Sequence, residues 1–181
     1  MPDILKIILI ITGVLLIILV AFVLTMSFIN KNKIKKMYSD VEDMIKHSIP
    51  ENNEGYNIIR NNEKTYDYQF ITPKCDYYIK VIPNFGNEEI CINNPLKWQL
   101  RKSFNDETMR FVPDVEPLLR LDIPSSEKAI KKLYVIYPNT KSLLKYINEC
   151  EMIFVQPTTD VGGSNVVTYI NLKEHIDLLE L

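Results

Sequence analysis

Apolar residues run unbroken from Ile7 to Ile29, and only beyond that point do polar positions begin to alternate with them. None of these 23 positions is charged. Seventeen are Ile, Leu, Val or Phe, and the rest are Thr12, Gly13, Ala21, Thr25, Met26 and Ser27. A helix rising about 1.5 Å per residue would stretch this run over roughly 35 Å, enough for a hydrocarbon core of about 30 Å with modest tilt. The aliphatic and aromatic side chains together favour insertion by about 5 to 10 kcal/mol. The apolar segment of a signal peptide spans only about 7–15 residues before a small-x-small cleavage site, and Ser27-Phe28-Ile29 is not such a site. A soluble helix would carry a polar face, which this run lacks. The pattern predicts a transmembrane helix over 7–29, with residues 1–6 as a short flank.

The periodicity then changes. Ile34, Met37, Tyr38, Val41, Met44 and Ile45 recur at spacings of three and four, which predicts a stalk helix over 34–47 within a basic flank and stalk, 30–50. The polar stretch Pro50–Gly55 reads as a linker. Three strand-like runs follow at Tyr56–Arg60, Tyr66–Ile71 and Asp76–Ile82, with Thr72-Pro73-Lys74-Cys75 as the turn between the last two. In the third run Tyr77, Ile79 and Val81 alternate with Asp76, Tyr78, Lys80 and Ile82, giving one apolar and one mixed face. Glu89–Ile92 is a further short strand. Asn94-Pro95 resembles a capped helix start and predicts a helix to about Phe104. Residues 105–124, with Pro113, Pro117 and Pro124, read as an irregular excursion, and Pro124–Glu127 opens a short helix.

Lys132–Tyr137 predicts a buried strand, Lys141–Cys150 a helix capped by Asn139 and Thr140, and Met152–Val155 another strand. Strand, helix and strand within about 25 residues predict two parallel strands joined by a right-handed crossover. Val166–Ile170, after the Gly162-Gly163 turn, is one more strand. Asn171 starts a final helix to Leu181, with Leu172, Ile176 and Leu179 on one face. The expected class is α/β, a mixed sheet with flanking helices in a single domain over 51–181, preceded by one transmembrane helix.

Charge sets the expected orientation. Asp3, Lys6 and the terminal amine precede the apolar run, while Lys31, Lys33, Lys35 and Lys36 follow it. Lysine and arginine accumulate on the cytoplasmic side, so the N-terminus is expected outside and the C-terminal domain in the cytoplasm. The same four lysines can meet anionic lipid at the membrane surface. Cys75, Cys91 and Cys150 are odd in number and widely spaced, unlike a disulfide framework, and no Asn-x-Ser/Thr acceptor occurs. Both features agree with a cytoplasmic domain. The chain holds 21 Lys+Arg and 23 Asp+Glu; without Lys6, Lys31, Lys33, Lys35, Lys36 and Asp3 the domain has 16 basic against 22 acidic residues. That balance argues against a nucleic-acid partner, although Lys97, Arg101 and Lys102 form a local basic patch.

Motifs that carry chemistry are sparse. The sequence has no phosphate-binding Gly-x-x-x-x-Gly-Lys-Ser/Thr, no Gly-x-Gly-x-x-Gly, no Gly-x-Ser-x-Gly and no His-Glu-x-x-His. His47 and His175 lie far apart, and the cysteine spacings make no zinc knuckle. The Tyr66, Tyr68, Phe70, Tyr77, Tyr78, Tyr134 and Tyr137 set reads first as core and sheet surface, with a stacking groove as the alternative. Pro157-Thr158-Thr159-Asp160 with Gly162-Gly163 is either an ordinary turn or a binding loop beyond a strand end.

Asp67 on the second strand-like run and Lys80 on the third, within the order helix, three-stranded meander, helix, strand, resemble the core of the restriction-endonuclease-like nucleases. That resemblance implies a Mg²⁺ site built on carboxylates with a lysine beside the attacking water. Here Tyr78 stands where the family's third-strand carboxylate belongs. Asp76, on the same strand face, lies about 13 Å from Lys80 along an ideal strand. The resemblance therefore implies a degenerate relative, with Asp67, Asp76 and Lys80 as its catalytic candidates and Mg²⁺ as cofactor only under that reading. The plainer reading of Asp67 and Lys80 is solvated charges. The leading expectation is a membrane-anchored interaction or scaffold module that binds the bilayer through 7–29, has an unidentified protein partner and needs no cofactor.

Overall fold

A single helix carries the chain from the apolar run into the domain. The computed structural model describes residues 2–51, 54–61, 65–103, 110–123, 128–148 and 151–180. Helix α1 spans Pro2–His47, so the apolar and stalk helices are continuous. Two compact units divide it, Met1–Ser39 and Asp40–Leu181. In the first unit the large apolar side chains from Leu5 to Ile29 are 40% to 72% exposed. The helix is long and apolar enough to cross a membrane. Thr12 and Thr25 donate their hydroxyls to the carbonyls of Ile8 and Ala21, four residues back, which removes two polar groups from an otherwise apolar surface.

The second unit begins with the last turns of α1, where Val41 and Ile45 are fully buried and Asp40 accepts a hydrogen bond from the Tyr137 hydroxyl. Ten strands follow among the described residues: β1 (Asn57–Arg60), β2 (Tyr68–Ile71), β3 (Cys75–Pro83), β4 (Glu89–Asn94), β5 (Lys97–Arg101), β6 (Arg110–Phe111), β7 (Ala129–Tyr137), β8 (Leu143–Tyr146), β9 (Met152–Phe154) and β10 (Ser164–Thr168). Helix α2 (Glu116–Leu119) lies between β6 and β7, and α3 (Leu172–Glu180) follows β10 through a 3₁₀ turn at Tyr169–Asn171. The strands form two mixed five-stranded sheets, ordered β1-β2-β3-β7-β10 and β6-β5-β4-β8-β9. The α/β class with flanking helices is as expected from the sequence, and the expected meander is present as the antiparallel pairs β1·β2 and β2·β3.

One core joins the sheets. Ile82, Tyr134, Ile136 and Val166 from the first sheet cluster with Ile90, Ile92, Trp98 and Leu143 from the second, along with Val112, Val115 and Leu118. Trp98 and Tyr134 meet edge to face with ring centroids 4.8 Å apart, a favoured aromatic geometry. The opposite face of the first sheet, carrying Tyr68, Phe70, Tyr77, Ile79, Leu133 and Val135, is also buried. Burial on both faces explains why Leu133–Tyr137 of β7 reads as a continuous apolar run.

The structure departs from the sequence pattern in three places. Residues 94–103 do not begin a helix: Pro95-Leu96 is the turn of the β4–β5 hairpin, where Asn94 Oδ1 accepts the Leu96 N–H at 2.8 Å and Trp98 Nε1 donates to the Pro95 carbonyl at 2.9 Å. The period-two pattern, with Trp98 and Leu100 inward and Lys97, Gln99 and Arg101 outward, outweighs the capping signal. Within the expected helix 141–150, the described residues 141–148 are not helical either, because Leu143–Tyr146 adds to β4 as a parallel strand. The expected crossover within 132–155 is absent for the same reason: β7 and β8 lie in different sheets, and the parallel neighbours of β7 are β3 and β10. The expected helix at Pro124–Glu127 lies outside the described residues.

Candidate functional site

Asp67 and Lys80 come together, and they do so inside the protein. Asp67 precedes β2 and its backbone N–H bonds to the Ile79 carbonyl at 2.8 Å. Its Oδ2 accepts the Val81 N–H at 2.7 Å, so the carboxylate extends the β2·β3 ladder past the end of β2. Lys80 Nζ stands 3.5 Å from Asp67 Oδ1. Both side chains are buried, which replaces the reading of solvated charges on a mixed strand face. The physical reason is the second sheet, which covers the face of β3 that bears Tyr78, Lys80 and Ile82. Two carboxylate oxygens engaged by a backbone amide and an ammonium make a structural anchor for the strand end.

Asp76 lies at the other end of β3, paired in register with Ile71 and Ile130. Its Oδ1 is buried without a hydrogen-bond partner. Among the described residues no group of three or more His, Cys, Asp or Glu side chains gathers closely enough to hold a metal ion.

A second polar constellation occupies the outer face of the β6-β5-β4-β8-β9 sheet. The registers place Glu89 opposite Arg101, Cys91 opposite Gln99, and Cys91 beside Leu144. Glu89 is buried and accepts the Ser142 hydroxyl through Oε2, while Oε1 has no partner. Arg101 donates Nε and Nη2 to Gln99 Oε1 at 3.2 and 2.9 Å, and Nη2 also reaches Tyr146 Oη at 3.4 Å. That bond to Tyr146 is the main reason the guanidinium holds its proton even more firmly than usual. Burial pushes the Cys91 thiol up, and its sulfur lies 4.0 Å from Met152 Sδ, which suits packing more than nucleophilic attack. An open groove of about 510 Å³ beside Tyr146 is lined by Asn93, Ile147 and Asn148. The cluster is not legible in the sequence, where both flanking segments read as helices. The alternation Lys97-Gln99-Arg101 was its only signal.

Tyr68, Phe70, Tyr77 and Tyr134 are fully buried and Tyr137 nearly so, while Tyr66 and Tyr78 pack against the shared core; the aromatic set is core. The Pro157–Gly163 loop closes on itself, with Gly163 N–H on Asp160 Oδ1, Gln156 N–H on Thr159 Oγ1, and Asn165 Nδ2 donating to the Pro157 carbonyl. Lys97 Nζ sits 4.1 Å from the Phe111 ring centroid. Cys75 and Cys91 are buried free thiols, and Cys150 lies outside the described residues. His47 Nδ1 contacts the Asp43 carbonyl, and His175 is buried on α3. Lys31, Lys33, Lys35 and Lys36 are all exposed on α1, within about two turns of the apolar stretch.

In comparison with known proteins the chain matches no family model, no curated protein and no solved structure.

Proposed function

We propose that this chain is a single-pass membrane protein whose two-sheet domain faces the cytoplasm and acts as a non-enzymatic interaction or scaffold module. The observation that carries the reading is the bare apolar helix. Its large apolar side chains from Leu5 to Ile29 are 40% to 72% exposed, and a soluble protein does not expose so long an apolar surface. Lys31, Lys33, Lys35 and Lys36 support a cytoplasmic domain through the positive-inside rule and supply contacts for anionic headgroups. The partner is the bilayer through 7–29 together with a protein that meets the domain.

The alternative, a membrane-tethered nuclease-like protein using Mg²⁺, rests on the 3.5 Å approach of Asp67 and Lys80. The engagement of both Asp67 oxygens and the missing carboxylate at Tyr78 favour a structural role for that pair. The full chain is expected to sediment with membranes and to resist alkaline carbonate extraction. Release by carbonate contradicts the anchor, and Mg²⁺-dependent cleavage lost in Lys80→Ala contradicts the non-enzymatic reading.

A further inference from the structure

The edge of the second sheet is built to pair with another strand. Among the described residues β9 is its last strand. The bonds Ile147 N–H to Glu151 O and Val155 N–H to Leu143 O, both 2.9 Å, fix the alternation of the β8·β9 ladder. Together with the register Lys145↔Ile153, they make Ile153 the residue that exchanges both backbone bonds with β8. Met152 and Phe154 are then the non-hydrogen-bonded positions, so their N–H and C=O groups point away from the sheet. Natural edges are usually guarded by lysine, proline or a bulge. This one carries Met, Ile and Phe, with Phe154 67% and Ile153 36% exposed, and Ile147 nearby is 56% exposed.

The free edge is complementary to itself. A two-fold axis through Ile153 sets Met152 opposite Phe154 of a second copy, and both residues offer an unused donor and acceptor. Four backbone bonds form, two at each such pair. Ile153 then faces its own copy as a non-hydrogen-bonded pair, and Met152 packs beside Phe154 on the outer face. No like charges face each other, because Glu151 falls opposite Val155. A two-fold strand pair is the isologous contact that closes a homodimer.

We propose that two copies of this chain associate through antiparallel β9–β9 pairing centred on Ile153, which merges the two outer sheets into one. The inference deepens the interaction-module reading by naming a second copy as the partner. A chain that sediments with membranes yet stays monomeric would overturn this inference alone.

The test uses the full-length chain in its own membranes, with Ile153→Cys in a Cys150→Ser background and copper-phenanthroline with dioxygen as oxidant. Cα atoms of a non-hydrogen-bonded pair lie about 4.5 Å apart, within the range a disulfide spans. A covalent homodimer is expected at least ten-fold faster than for Ile170→Cys, an exposed position elsewhere. Adding Phe154→Pro should slow cross-linking at least ten-fold. It removes an outward N–H without touching the β8 ladder. Independently, Ile153→Lys, which sets two ammonium groups face to face, should convert a dimer in detergent to a monomer by light scattering. Cross-linking no faster than the Ile170→Cys control overturns the proposal. So does a mixed disulfide with a different polypeptide, or a monomer before any substitution.

Discussion

A methyl group on Gly162 would stand 2.5 Å from Pro95 Cβ, and the residue holds φ at +63°. The loop before β10 closes onto the β4–β5 turn at this point, so any side chain must strain the backbone and push the proline. Gly162→Ala is expected to destabilise the domain by about 2 kcal/mol, measured as a lowered urea midpoint with unchanged slope, while Gly163→Ala meets no atom within 4 Å and pays only for its φ of +85°. His175 is the other residue with a sharp consequence. It is fully buried, and both ring nitrogens lack a partner. Burial, and secondarily the charge of Lys131, lower its pKa from 6.5 to about 4. The unfolded chain therefore binds the proton more readily than the folded one. The folded state keeps its full stability above pH 6.5 and loses it as pH falls toward 4, by up to about 3 kcal/mol. Chemical denaturation at pH 7.5 and pH 5 should show this loss, and His175→Leu should flatten it. An unchanged slope in that variant would mean another group titrates.

At the scale of elements, legibility followed whether an element's partners were close in sequence. The meander β1–β3 is readable because each strand pairs with its neighbour in sequence, β2 and β3 through the short turn before Cys75. The last helix was readable from Asn171 and the spacing of Leu172 and Ile176. The segments of β5 and β8 read as helices in the sequence because both strands are held by pairing with β4, and Ile90 of β4 finds its partner Leu143 of β8 53 positions later. Asn-Pro and Asn-Thr start hairpins and strands as readily as helices, and only tertiary pairing decides between them. The Asp67–Lys80 pair was half legible: both residues were singled out, but their burial depends on the second sheet, which the sequence did not announce. Trp98 shows what that sheet contributes. It is fully buried and stacks edge to face on Tyr134. Trp98→Ala is expected to cost about 3–5 kcal/mol, read as a lowered thermal midpoint, whereas Lys97→Ala, one residue earlier and exposed, should change it little.

At the scale of the whole molecule, the proposed placement of the domain rests on the apolar helix and the lysines after it. The most direct measurement is the side of the membrane on which the domain lies. Cys75 and Cys91 are buried and poor reporters, so the reporter is Ile170→Cys, at a position 62% exposed, in a Cys150→Ser background. A membrane-impermeant maleimide is applied to cells before and after permeabilisation. Labelling only after permeabilisation is the predicted result. Labelling of Ile170→Cys in intact cells would place the domain outside and contradict the account.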